Sequence, residues 1–161
     1  MRPTRRNVLA GAAALALTRP AEGALPPSLL CFGDSLTAGY GLGRTEGLVP
    51  RLSGWLADRG YPARLIDGGL SGDTTYGGRV RIQLSLRRHR PDAVMVELGG
   101  NDMLRGWSAE HAEANLDAIL TRAGQGGRPL LLVGIQAPGG GAAWRGAWAR
   151  MWPRLAARHD A

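Results

Sequence analysis

The sequence predicts a single α/β domain built on a mainly parallel sheet. Three observations carry this reading. Apolar runs of strand length alternate four times with segments of helical periodicity. The first three runs each end in a glycine-rich turn, at Gly33 to Ser35, Gly68 to Asp73 and Gly99 to Asp102. No internal repeat or linker divides the 161 residues, a length that suits one domain with a real core. Ligands of such sheets bind beyond the carboxyl ends of the strands, so the three turns are expected to gather at one rim.

The elements follow in order. Leu29 to Phe32 is the first strand. Leu48, Leu52, Trp55 and Leu56 recur at helical spacing, Pro50 is tolerated in a first turn, and Gly60 stops the helix. Ala63 to Asp67 is a short second strand that Gly68-Gly69 ends. The next segment is ambiguous. Val80, Ile82, Leu84 and Leu86 alternate with polar residues as in a strand, yet Val80/Leu84 and Ile82/Leu86 are also four apart. Two parallel strands need a crossover, and Asp92 to Leu98 is a clear strand, so Thr74 to His89 is read as the crossover helix. Ser108 can cap a helix running to Ala123, with Ala112, Leu116, Ile119, Leu120 and Ala123 on one face. Leu130 to Ile135 is a buried-type fourth strand. Trp144, Trp148, Met151, Trp152 and Leu155 mark the apolar side of a last helix, which Pro153 is expected to kink or shorten.

Composition narrows the function classes. The formal charge is +7, and all 20 basic residues are arginine. They are scattered rather than gathered in a stripe, which fits a biased genome composition and argues against nucleic-acid binding. Cys31 has no partner for a disulfide and lies inside the first strand. His89, His111 and His159 show no metal-ligand spacing, so no metal site is expected among them.

The amino terminus reads as a signal peptide over residues 1–23. Thr4-Arg5-Arg6-Asn7-Val8-Leu9 resembles a bacterial twin-arginine signal, and the apolar run from Val8 to Leu17 is too short to span a bilayer. Cleavage is expected after Gly23. Losing Arg2, Arg5, Arg6, Arg19 and Glu22 would lower the charge from +7 to +4. The destination is periplasmic or secreted, and residues 24–161 form the domain.

The sharpest chemical signal is Phe32-Gly33-Asp34-Ser35-Leu36-Thr37-Ala38-Gly39-Tyr40. A strand that ends in a Gly-Asp-Ser turn can present the serine hydroxyl at the top of a sheet, where nucleophiles sit in α/β hydrolases. The same serine could instead cap a helix or close a turn.

Three ordered segments resemble one family. Gly33-Asp34-Ser35-Leu36 is similar to the first block of the GDSL, or SGNH, hydrolases. Gly69-Leu70-Ser71-Gly72-Asp73-Thr74-Thr75 is similar to the second, and Val96-Glu97-Leu98-Gly99-Gly100-Asn101-Asp102 to the third. With the Leu104-Arg105-Gly106 tail, the strings look most like the branch of secreted acyl thioesterases, lysophospholipases and arylesterases. The resemblance implies a three-layer α/β/α, flavodoxin-like fold with Ser35 as nucleophile. The backbone N–H groups of Ser35 and Gly72 and the Asn101 amide would then form the oxyanion hole. Losing one such donor typically costs about 10²–10³ in rate. Asp34 and Asp102 are expected to hold their loops through local hydrogen bonds. The implied substrates are small acyl esters or thioesters, including aryl esters and lysophospholipids, with membrane lipid as one candidate source, and the implied chemistry needs no cofactor or metal.

The family's fourth block, an Asp-x-x-His whose histidine accepts the serine proton, is not found after Asn101. The sequence is therefore expected to be cut short, lacking a last strand and final helix. The edge so left on the fourth strand is expected to make the isolated chain self-associate or aggregate. His89 and His159 are expected at the opposite end of the sheet from Ser35, and His111 on the same side. The rival expectations are a non-catalytic ester- or acyl-binding protein and a nonfunctional fragment.

Overall fold

A computed structural model describes residues 25–161; the expected signal peptide lies outside the described residues. The chain forms β1 (Ser28–Gly33), α1 (Ser35–Ala38), α2 (Leu48–Asp58), β2 (Arg64–Gly69) and α3 (Thr75–His89). It continues through β3 (Ala93–Glu97), α4 (Gly100–Leu104), α5 (Ala109–Ala123), β4 (Leu130–Leu132) and α6 (Ala142–His159). The four strands make one sheet in the order β2-β1-β3-β4, and every pairing is parallel. The α/β class and the parallel sheet are therefore as the sequence predicts.

Strand alternation sorts the core onto two faces. Leu30, Phe32, Ile66, Val94 and Val96 point to one side, where α3, α5 and α6 cover them. Cys31 and Met95 point to the other, where Val49 and Leu52 of α2 meet them. The ambiguous segment resolves as a helix. Thr74 caps α3 by accepting from the Gly77 N–H at 3.2 Å. Gly78, Ile82 and Leu86 face the core at intervals of four, whereas Val80 and Leu84 are 65% and 70% exposed. The apparent alternation thus combined a buried row with a solvated one.

Four expectations need correction. β2 does not end before Gly68-Gly69 but includes both, paired with Phe32 and Gly33. A side chain on Gly68 would press on the Cys31 carbonyl and Leu30, so glycine lets the strand run on there. β4 spans only Leu130–Leu132; the Val133 N–H still reaches the Val96 carbonyl, and Gly134 then turns against the Trp152 ring. α6 passes through Pro153 and continues to His159, because burial of Trp148, Met151 and Leu155 on both sides of the proline outweighs its missing N–H. The Gly99 to Asp102 segment, expected as a loop, opens into the short helix α4, and the Gly-Asp-Ser turn likewise leads into α1.

Candidate active site

Ser35 is the first residue of α1, directly beyond the carboxyl end of β1, and is half-buried. The cap of α1 is Asp34, whose Oδ1 accepts the Leu36 N–H at 3.0 Å. The serine hydroxyl is therefore not needed to cap the helix. The turn can be this tight only with glycine at 33. A Cβ there would collide with Thr37 Oγ1 and stand 2.7 Å from the Glu97 carbonyl.

Gly72 lies in the exposed turn after β2, with φ +81 and open space where a Cβ would be. The backbone conformation, and not crowding, is what requires glycine. Asn101 stands in the first turn of α4 and joins the other two segments. Its Nδ2 donates to Asp34 Oδ2 at 3.2 Å and to the Asp73 carbonyl at 2.8 Å. The three sequence blocks are thus physically linked. Both amide hydrogens are engaged, so an oxyanion arriving here would compete with Asp34, the longer of the two contacts.

Asp34 makes the expected local bond and also the long-range one to Asn101. Asp102 departs from the expectation of local bonds. Its fully buried carboxylate accepts the Thr75 N–H at 2.9 Å and the Thr75 hydroxyl at 2.6 Å, tying α4 to the start of α3. Asn115 of α5 donates to the same Thr75 hydroxyl at 3.2 Å.

The floor of the site is acidic. Burial pushes the Asp34 carboxyl above the usual range; the Leu36 N–H and Asn101 amide oppose this, and the Asp73 charge adds to it. Glu97, at the end of β3, takes a 2.8 Å bond from the Thr37 hydroxyl on Oε2, and its buried Oε1 has no hydrogen-bond partner. Burial, then the Asp34 charge, pushes its pKa up to about 7.

The histidines fall as the topology predicts. His89 and His159 end α3 and α6, at the amino-terminal side of the sheet, where His159 Nε2 meets Asp117 Oδ1 at 2.9 Å. His111 lies in the first turn of α5 on the Ser35 side, its ring 6.0 Å from that of Trp107. Among the described residues no hydrogen bond joins a histidine to Ser35, and no cluster has the makings of a metal site.

Two hollows border α4. One, of about 430 Å³, lies between Met103, Leu104 and the Pro138–Gly140 loop, with Trp144 behind it. The other, of about 580 Å³, is lined by Ile135, Gln136, Arg145 and Trp152 on the β4 side. The Ile135 Cδ1 is 3.8 Å from the position of a Cβ on Gly100, which brings this hollow against the Asn101 turn.

Sequence reasoning did not find Thr37, Asp73, Arg81 or Glu97 as parts of this site. Asp73 and Glu97 stood inside the recognised blocks and could have been flagged as acids flanking key positions. Nothing in the spacing marked Arg81.

Residues 31–161 match the GDSL-like Lipase/Acylhydrolase family. Among curated proteins, the chain is 40% identical over 134 residues to esterase TesA of Pseudomonas aeruginosa, covering 83% of this chain and 66% of that one. It is 33% identical over 134 residues to thioesterase 1/protease 1/lysophospholipase L1 of Escherichia coli, covering 83% and 63%. It thus spans less than two-thirds of either relative's length. Among solved structures, AlinE4, an SGNH-hydrolase family esterase, superposes with a TM-score of 0.83 at 41% identity, covering 86% of this chain and 75% of that one.

Proposed function

The chain belongs to the GDSL-like lipase/acylhydrolase family, and on that premise we propose that it binds small acyl esters or thioesters and attacks them through Ser35. The observation that carries this is the Asn101 amide, which bridges Asp34 beside Ser35 and Asp73 beside Gly72. That bridge supports a site where one hydroxyl and three N–H groups face a common carbonyl.

In the proposed reaction the Ser35 oxygen adds to the acyl carbon, and the carbonyl π electrons move onto oxygen. The Ser35 and Gly72 N–H groups and the Asn101 amide stabilise that oxyanion. Collapse expels the alcohol or thiol, and water then releases the acid from the acyl-enzyme. The Ser35 proton needs a base. In the family this is the histidine of the Asp-x-x-His block, which does not occur between Asn101 and Ala161. In serine hydrolases generally, removing that base lowers turnover by on the order of 10⁵–10⁶. Aryl esters, acyl thioesters and lysophospholipids are the proposed substrate classes, after the names of the relatives. The signal-like Thr4–Leu9 stretch supports a periplasmic or secreted location.

A second reading, binding of an ester or acyl group without turnover, is favoured by the Asn101 amide, whose two hydrogens are already held by Asp34 and the Asp73 carbonyl. Hydrolysis of p-nitrophenyl acetate and of a longer acyl ester separates the two. Turnover that Ser35→Ala abolishes supports the enzyme. Saturable binding with the same rate of hydrolysis in both forms supports the binding protein. Neither turnover nor binding overturns both.

A further inference from the structure

Ser35, Gly72 and Asn101 sit on three separate segments, and something must fix those segments relative to one another. Arg81, nearly two turns into α3, contacts all of them directly or through one neighbour. Its Nη2 donates to the Gly33 carbonyl at 2.8 Å, two residues before Ser35. Its Nη1 donates to the Gly68 carbonyl at 2.9 Å, near the end of β2. Its Nε donates to Asp73 Oδ2 at 2.6 Å, next to Gly72. The Asp73 carbonyl in turn accepts the Asn101 amide. The guanidinium carbon lies 3.8 Å above the centre of the Phe32 ring, which holds the plane from below.

We propose that Arg81 is the positioning residue of the site: one planar guanidinium that sets the Ser35 turn, the Gly72 turn and, through Asp73, the Asn101 amide in a common frame. This rests on the reading of those three residues given above. An ordinary ion pair with Asp73 would not need the two carbonyls. The side chain is only 20% exposed, and its three bonds leave in one plane from a rigid fork, an arrangement that the point charge of a lysine cannot reproduce. The bonds to Gly33 and Gly68 also end two neighbouring strands at a fixed height. The Leu70 N–H shares the Gly33 carbonyl with Arg81, at 3.0 Å, so the β1 and β2 ends are closed by the same acceptor.

The test is amide hydrogen exchange on the full chain, with urea unfolding in parallel, for the wild type, Arg81→Lys and Asp73→Asn. The reporters are the bonded N–H groups of Leu36, Leu70, Asp73 and Thr74. Arg81→Lys is expected to speed exchange at least tenfold at all four, while β3 amides stay protected. Asp73→Asn is expected to loosen Asp73 and Thr74 and to leave Leu36 protected, because the Gly33 bond survives. Wild-type exchange in Arg81→Lys would reduce Arg81 to a simple ion pair. A uniform rise across the chain, tracking a lower urea midpoint, would make it a general stabiliser. If Arg81→Lys does not fold, equal loosening of Leu36 and Thr74 in Asp73→Asn overturns the proposal, and selective loosening supports it.

Ester turnover, measured alongside, keeps the two readings apart. If wild type and Ser35→Ala hydrolyse ester equally, the catalytic reading fails while the exchange result stands. If turnover depends on Ser35, Arg81→Lys is expected to lower kcat at least tenfold with KM within about twofold. An unchanged kcat would overturn the positioning role.

Discussion

Above β1 and β3 the rim holds four buried carboxylates, those of Asp34, Asp73, Glu97 and Asp102, within a web of directional bonds to Leu36, Asn101, Arg81, Thr37 and Thr75. Above β4 the wall is aromatic. Trp144, Trp148 and Trp152 follow one another with ring centres 5.9 and 6.1 Å apart, the first pair edge to face and the second tilted, and Gly99 and Gly134 pack on Trp152. Its polar contacts there are few, such as the Trp152 Nε1–H bond to the Ile135 carbonyl at 3.0 Å. Directional bonds fix atoms to within a few tenths of an ångström, which a reacting group needs. Ring packing fills volume and tolerates small shifts. The first region is built for position and the second for shape.

Five substitutions can break or sharpen that contrast. Gly33→Ala drives a methyl into Thr37 and the Glu97 carbonyl and is expected to cost about 3 kcal/mol. Gly134→Ala, whose methyl would sit 3.2 Å from Trp152 Cγ, is expected to cost about 1 kcal/mol. Urea melts compare the pair, and equal costs would erase the distinction.

Glu97→Gln comes next. The native carboxyl is raised from 4.5 to about 7, so the folded protein holds this proton more tightly than the unfolded chain. Its favourable contribution is complete below pH 4.5 and is lost as pH rises to 7. Removing the ionisable group is therefore expected to recover up to about 3 kcal/mol above pH 7. The raised pKa of Asp34 leaves a weaker slope of the same sign. Melting temperatures across pH 4–9 would show the two curves diverging toward high pH.

Asp102→Asn turns one of two acceptors into a donor facing Thr75 and is expected to cost about 2 kcal/mol in urea, with faster exchange at the Thr75 N–H. The smallest change belongs to the edge. Leu131 is 42% exposed, and Leu131→Thr is expected to shift stability by no more than about 0.5 kcal/mol. A larger loss would show that another surface covers β4.

The legible parts of the fold were those with a repeating or local signature. The apolar run Leu29 to Phe32 marked β1, the need for a crossover between parallel strands marked α3, and Ser108 marked the start of α5 by its own side chain. Short elements were hidden, since the 4 residues of α1 and the 5 of α4 show no period. The length of β4 depends on where Gly134 turns against the Trp152 ring, and the passage of α6 through Pro153 depends on burial elsewhere. In the site, the three motif blocks were readable. The groups that hold them together were not, because the Arg81–Gly33 and Thr37–Glu97 bonds join residues 48 and 60 positions apart.

The lone thiol offers a last consequence. Cys31 is sealed beneath α2, and burial, with a smaller push from Asp67, raises its pKa to about 11. An alkylating reagent can reach that sulfur only when the thinner layer lifts from the sheet. Its modification rate is therefore a built-in clock for how often that layer undocks, read without introducing any new residue into the chain.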